Sequence, residues 1–211
     1  MMPVIKKNGK TRVCINFRNF NLALLSDEYL MPIADLRIGA SVGNKMMTFI
    51  DGNMGCNQIY IAKEDVPKMV GVYQWNVMPF RLKNVGTTYQ RVMNYMFYDY
   101  IGEFIEVDID NIVIKSHSLE EHLGHLQRSF EQMRCHQLKL NPLKCVFEVP
   151  TGNFLGFFVH KKGIEIYENK AKANVEAWLP RSKKELQQFM GKVNFLGKFI
   201  SNLVGKVKAF S

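Results

Sequence analysis

Between residues 46 and 149 the sequence alternates short apolar runs with amphipathic stretches in the order strand, helix, strand, strand, helix, strand. That is the split β-α-β-β-α-β pattern, and it leaves few topologies open. Its first and third strands are antiparallel neighbours at the centre of one sheet. The strand runs fall at 46–50, 104–109, 112–114 and 145–149, with residues 58–83 inserted after the first. A helix is expected over 87–100, where Val92, Met93, Met96, Phe97 and Tyr100 share a face. The capping box Ser118-x-x-Glu121 opens a second, with Leu119, Leu123, Leu126, Phe130 and Met133 as its apolar stripe.

Two of these strands end on aspartate. The first stops at Asp51, and the second reaches Asp110 before turning at Asn111. A carboxylate beside a buried strand costs free energy unless a partner neutralises it. In the split topology the end of strand one meets the turn leading into strand three, so Asp51 and Asp110 should meet at one edge of the sheet. Hard oxygen ligands on rigid strand ends suit Mg²⁺, which keeps several waters and needs few protein carboxylates. Cations held in this way serve phosphoryl transfer on nucleotides. The competing reading of either aspartate alone is a turn cap.

The flanks are legible in the same terms. Lys6-Lys7-Asn8-Gly9-Lys10 is a basic hairpin turn, with a return strand expected over 11–17. Pro32 suits the first turn of a short helix through Ile33, Leu36 and Arg37 ending near Gly39. The run 154–159 begins a hairpin that turns at Lys161-Lys162-Gly163. A second capping box, Ser182-x-x-Glu185, opens a helix with Leu186, Phe189, Met190, Val193 and Leu196 along one side.

Twenty-eight Lys and Arg against 19 Asp and Glu give a net charge of +9. From Lys161 onward eleven basic residues face four Glu, so most of the excess lies in the last quarter. Such a distribution favours a polyanionic partner. The four cysteines form no C-x-x-C pair, which argues against a zinc ribbon and for reduced thiols in a cytoplasmic or nuclear protein. His117, His122 and His125 lack a Cys or Asp to complete a zinc site. The methionines and Trp75 and Trp178 read as core filling. No signal peptide opens the chain, and no apolar run approaches the roughly 18 residues of a membrane span, so no membrane partner is expected. The first five residues read as mid-strand, so an N-terminal truncation is expected.

The motifs resemble the reverse transcriptase of gypsy-type long-terminal-repeat retrotransposons, particularly plant elements. "CINFRNFN" (14–21) is similar to the fingers motif and "FIDGNMGCNQI" (49–59) to the first catalytic motif. "MPFRLKNVGTTYQR" (78–91) resembles the template- and nucleotide-facing motif, and "VDIDNIVIKS" (107–116) the aromatic-x-Asp-Asp hairpin. "LKLNPLKC" (138–145) and "FLGFFVHKKGI" (154–164) resemble the lysine motif and the primer grip. "KKELQQFMGKVNFLGKFI" (183–200) is similar to the segment after the palm.

The resemblance implies an α+β right-hand polymerase palm with a ferredoxin-like core, partial fingers and a helical thumb-like C-terminal part. Residues 1–45 would be partial fingers, 46–58 and 85–160 palm, 59–84 a fingers insert, and 161–211 the start of the thumb or connection. It implies RNA-directed DNA synthesis from an RNA template, a DNA primer and deoxynucleoside triphosphates, with two Mg²⁺ ions held by Asp51 and Asp110. Active relatives work within retroelement particles. Arg12, with Lys6 or Lys7, would grip the triphosphate. Phe80 and Cys56 would face the nucleotide, Lys144 the departing pyrophosphate, and Arg81, Lys83 and Gln90 the template. Phe154, Leu155 and Gly156 would place the primer end.

The departures from that family pattern point the other way. Asn111 stands where active relatives have the third carboxylate, which weakens the field that holds two dications. Asp108 replaces an aromatic residue, and Cys56 replaces the bulky gate against a ribose hydroxyl. Arg81 replaces a glycine that lets backbone approach the base pair. Compared with the family, a short stretch between Lys68 and Tyr73 is expected to be missing, as are the N-terminal fingers segment, the upstream protease and the downstream ribonuclease H. These features favour substantial loss of activity in a chain that is an RNA-directed DNA polymerase by descent. The alternative is a catalytically silent fragment that keeps only nucleic-acid or subunit binding. A ferredoxin-like RNA-binding module would share the topology, but the strands supply no clear pair of stacking aromatics.

Overall fold

In the computed structural model the described residues are 2–5, 9, 11–52, 55–68, 75–166, 172 and 180–208. Strands β1 (Met2–Ile5) and β2 (Thr11–Cys14) pair antiparallel, Met2 opposite Cys14 and Ile5 opposite Thr11. The two strands flanking the expected Asn8-Gly9 turn therefore pair, while Lys6, Lys7, Asn8 and Lys10 lie outside the described residues. The return strand stops at Cys14 rather than 17. Asn16 Oδ1 accepts the Arg18 backbone N–H at 3.1 Å, a local bond that turns the chain into α1 (Arg18–Ala23). Helix α2 (Ala34–Ser41) follows Pro32 as expected.

The central sheet contains β3 (Met46–Asp51), β4 (Ile105–Asp108), β5 (Asn111–Ser116) and β6 (Val146–Val149) in the order β4-β5-β3-β6. Helix α3 (Val85–Met96) connects β3 to β4, and α4 (Leu119–Cys135) connects β5 to β6. The expected split topology is the observed one. β3 and β5 are antiparallel over six registered pairs, from Met46 opposite Ser116 to Asp51 opposite Asn111.

Because side chains alternate across a strand, this register divides the sheet into two faces. One carries Ile50, Ile105, Val107, Ile112 and Ile114, which pack on Tyr89, Met93 and Met96 of α3 and on Leu126 and Met133 of α4. The other carries Phe49, Glu106 and Lys115. Glu106 is bound from both sides, by Arg37 Nη1 at 2.7 Å and by Lys115 Nζ at 2.7 Å. Lys115 Nζ also donates to the Ala40 carbonyl of α2 at 2.9 Å.

Two helices depart from the expected pattern. α3 starts at Val85 and ends at Met96, with residues 97–100 in turns, because the chain must reverse before β4. Phe97 is still buried, but from the turn rather than the helix. In α4, Ser118 Oγ caps the Glu121 N–H at 3.3 Å as expected. The apolar stripe does not hold, however: Leu119 and Leu123 are about half exposed (50% and 53%), and His122, His125 and Ser129 take the buried face with Leu126 and Met133. The reason lies on the sheet. Thr48 and Ser116 turn hydroxyls toward α4, and His122 meets both at 2.8 Å through its two ring nitrogens. His125 Nδ1 also meets Ser116 Oγ at 2.8 Å, while its ring stacks on Phe104 at 4.1 Å.

The run expected as one strand over 154–159 is split. β7 (Thr151–Phe154) and β8 (Phe157–His160) form a hairpin whose turn is Leu155 and Gly156, at φ 51° and 87°. Positive φ at both central residues matches the twist of a two-residue hairpin. A second turn at Lys161 and Lys162 then leads to β9 (Gly163–Ile166), as expected.

The chain divides into two compact units, Met1–Ile164 and Glu165–Ser211. In the second, α5 (Lys183–Phe195) carries the expected box: Ser182 Oγ accepts the Glu185 N–H at 3.2 Å, and Glu185 Oε2 accepts the Arg181 N–H at 2.8 Å. Its half-buried side is Leu186, Phe189, Met190 and Val193, and α6 (Leu203–Val207) follows. Trp178 lies outside the described residues. No described helix is long and apolar enough to cross a membrane.

Candidate functional site

At one end of the central sheet three residues form a row on a single face. Asp51 ends β3, Asn111 opens β5 directly opposite it, and Asp108 ends β4 opposite Asn111 on the other side. Asp110 lies in the turn between β4 and β5, and its carbonyl accepts the Gly52 N–H at 3.1 Å. The fold thus brings the end of β3 to the turn that carries Asp110. Asn111 Nδ2 donates to Asp110 Oδ1 at 3.3 Å, a contact that an aspartate at 111 could not make.

The turn is held from behind. Ile109 sits at φ 52°, an uncommon conformation for a β-branched residue. Gln90 is fully buried; its Oε1 accepts the Ile109 N–H at 2.6 Å, and its Nε2 donates to the Val107 carbonyl at 3.3 Å and to Asn94 Oδ1 at 2.9 Å. This corrects the expected template contact for Gln90, because both ends of its amide are engaged inside the protein.

The charges at this end are unequal in surroundings. Lys144 Nζ lies 2.9 Å from Asp51 Oδ2. Burial pushes the Asp108 carboxyl up; Arg37 opposes that shift and Asp110 adds to it. The Cys56 thiol is also raised, by burial and then by Asp110. Burial raises the Tyr89 phenol far more, with Asp110, Cys56 and Asp51 adding to it, so it stays protonated. The Tyr89 hydroxyl is buried with no hydrogen-bond partner among the described residues.

Beside the row is a cavity of about 300 Å³, lined by Asp51, Asn111 and Lys144 on one side and by Gly152, Asn153 and Phe154 of β7 on the other. β7 comes this close because Gly152 has no side chain: a Cβ there would stand 2.0 Å from the Phe49 ring.

Among the described residues no three Asp, Glu, His or Cys side chains form a metal-holding group. Asp51, Asp108 and Asp110 are the carboxylates at the strand end, Asp51 and Asp110 being the two expected as metal ligands, with a neutral amide at 111. Oxygen donors of this kind would suit a largely hydrated dication such as Mg²⁺.

The remaining expected residues are placed as follows. Arg12 stands in β2 opposite Val4. Lys6 and Lys7, and the stretch 69–74, lie outside the described residues. Phe80 is exposed beside Arg81, whose φ of 81° lies in the region that favours glycine. Lys83 Nζ donates to the Leu24 carbonyl at 3.1 Å, so it ties down the N-terminal segment. Phe154 is buried, and Leu155 and Gly156 form the β7–β8 turn. Sequence reasoning missed Tyr89 and Asn21. Asn21 clamps the 81–83 turn by donating to the Arg81 carbonyl and accepting the Lys83 N–H, each at 3.0 Å. Both residues lie inside quoted motifs, but only the fold reveals their partners.

A family profile described as "Reverse transcriptase (RNA-dependent DNA polymerase)" matches residues 4–159. The chain is 35% identical over 199 residues to the retrovirus-related Pol polyprotein from transposon 297 of Drosophila melanogaster, covering 92% of this chain and 19% of that protein. It is 31% identical over 205 residues to the corresponding polyprotein from transposon opus of the same species, covering 93% and 20%. The transposon Tf2-7 polyprotein of Schizosaccharomyces pombe is 26% identical over 205 residues, covering 95% and 15%. The chain therefore spans about a fifth or less of the length of these curated relatives. Among solved structures, foamy viral protease-reverse transcriptase in complex with double-stranded DNA superposes with a TM-score of 0.86 at 22% identity, covering 98% of this chain and 37% of that one. The same viral protein in complex with an RNA/DNA hybrid gives 0.79 at 21% identity, covering 98% and 28%. These two likenesses establish the fold.

Proposed function

The chain belongs to the reverse transcriptase (RNA-dependent DNA polymerase) family, and from that membership we propose that it is the polymerase portion of a gypsy-type retroelement Pol polyprotein whose chemistry is impaired. Its partners are an RNA template, a DNA primer and deoxynucleoside triphosphates. Residues 1–45 and 59–84 serve as fingers, 46–58 and 85–160 as palm, and 161–211 as the start of the thumb. The observation that carries the impaired reading is the Asp51–Asn111 pair at the end of the β3–β5 ladder. An amide there supplies no negative charge, and Lys144 already neutralises Asp51.

Asp51 and Asp110 would hold a divalent cation, Mg²⁺ by their oxygen chemistry. When bound, such an ion lowers the pKa of a primer hydroxyl and neutralises charge on the phosphates. The chain's own residues do the rest. Arg12 and the neighbouring lysines bind the triphosphate, Lys144 follows the departing pyrophosphate, and the β7–β8 hairpin positions the primer end across the cavity. Cys56 leaves the sugar side open, so ribonucleotides are weakly excluded.

The test is primer extension on an RNA template with Mg²⁺ or Mn²⁺. The chain as it stands is expected to extend little or not at all. The triple substitution Asn111→Asp, Asp108→Tyr, Arg81→Gly should raise extension by on the order of 100-fold, the scale of one preorganised charge-stabilising group. Processive synthesis by the unmodified chain would overturn the impaired reading. No extension by the triple variant, with nucleic-acid binding intact, would favour a binding fragment beyond repair at these positions.

A further inference from the structure

Tyr89 stands beside the candidate site, in contact with neither nucleic acid nor triphosphate in the proposed polymerase function. Its ring is wedged in the core between α3 and the central sheet, so the side chain cannot swing out to solvent. Its hydroxyl is buried and has no hydrogen-bond partner among the described residues. Buried polar atoms are almost always satisfied, and an orphan calls for a ligand or water that completes it. The surroundings say where that ligand would lie. A Cβ at Gly52 would stand 2.9 Å from the Tyr89 hydroxyl and 3.9 Å from Asp110 Cβ. Residue 52, immediately after Asp51, is therefore a glycine lying between the phenol and Asp110, with no side chain to separate them.

We propose that Tyr89 is a positioning residue for a hydrated divalent cation at Asp51 and Asp110, its hydroxyl donating to the Asp110 carboxylate and accepting from a water on the ion. The proposal rests on the reading that those two carboxylates hold a cation. A phenol suits the task because one oxygen both donates and accepts. A phenylalanine would fill the same core space without leaving a buried hydroxyl unpaired, so the hydroxyl needs a reason beyond packing. Outer-sphere hydrogen bonds of this kind orient ligating carboxylates and typically change metal affinity by about 10- to 100-fold.

The experiment titrates Mn²⁺ into the full chain, with free Mn²⁺ followed by electron paramagnetic resonance, and measures thermal unfolding in EDTA alongside. Tyr89→Phe should weaken Mn²⁺ binding about tenfold while leaving cation-free thermal stability unchanged or raised. Asp110→Asn should abolish binding at this site. Gly52→Ala should weaken binding more in the Tyr89 chain than in the Tyr89→Phe background, because the added methyl meets the hydroxyl. Unchanged affinity in Tyr89→Phe overturns the proposal, and so does a loss of affinity accompanied by a loss of cation-free stability. Mn²⁺ binding that is absent, or indifferent to Asp110→Asn, overturns the cation site itself and this proposal with it.

Discussion

The ammonium of Lys144 lies 2.9 Å from Asp51 Oδ2, so the carboxylate that ends β3 already has a cationic partner. A metal at Asp51 would compete with it for the carboxylate's charge. Lys144 is mostly exposed, and exposed pairs contribute about 0–1 kcal/mol. Lys144→Met should therefore tighten Mn²⁺ binding by at most about fivefold. Weaker binding in the variant would mean that the lysine assists the ion instead of competing with it.

Gly152 allows β7 to rest on the Phe49 ring, with a Cβ position only 2.0 Å from that ring. Gly152→Ala should cost about 1–3 kcal/mol, the usual penalty of overpacking, as measured by urea denaturation. Phe49→Leu should recover part of the loss. An alanine tolerated without cost would show that the hairpin is free to lift from the sheet.

Arg81 occupies a left-handed backbone position at φ 81°. Arg81→Gly removes that strain and should stabilise the chain by about 1 kcal/mol. The gain is visible as a higher denaturation midpoint with an unchanged slope. A loss of stability would mean that the arginine side chain makes compensating contacts.

Gln90 is the acceptor for the Ile109 N–H. Gln90→Met keeps the volume and orphans that donor, so a cost of about 1–3 kcal/mol is expected. The Ile109 amide should be protected from hydrogen exchange in the unmodified chain and lose that protection in the same variant. Retained protection at residue 109 would refute the clamp.

Burial holds both His122 and His125 below the usual imidazole range. In the unfolded chain they titrate near the reference value of about 6.5. As the pH falls below that value, the unfolded chain binds protons that the folded chain refuses, so stability drops. The loss continues until the pH reaches the depressed folded values. Urea midpoints should thus be lower at pH 5.5 than at pH 7.5. The difference should shrink in His122→Gln with His125→Phe, which removes both titrating rings. Equal midpoints at the two pH values in the unmodified chain would contradict this.

The parts of the fold that announced themselves did so through local chemistry or through the order of apolar runs. Ser118 and Ser182 cap their helices with residues three positions away. The β3–β5 pairing followed from the order of apolar runs and amphipathic stretches along the chain, and it carried Asp51 to the turn holding Asp110. What stayed hidden depends on partners far along the chain. His122 on the buried face of α4 makes sense only once Thr48 is opposite it. Gln90 is expected at the template until Ile109 is seen to need an acceptor. The Leu155-Gly156 turn was masked by its own apolar flanks, Phe154 and Phe157, which point inward from both strands of the hairpin.

The Arg37–Glu106–Lys115 cluster has a consequence for how this chain can change over time. Glu106 and Lys115 lie on neighbouring strands with one carboxylate shared by two cations, so β4 cannot slide against β5 without stranding a buried charge. The hairpin is fastened at its base, well away from its tip. Substitutions at Asp108 and Asn111 can then accumulate at the tip without altering the register that presents them. Such an anchor lets a chain drift away from its chemistry while its architecture stays recognisable, and lets a few substitutions at the tip act on a scaffold already in place.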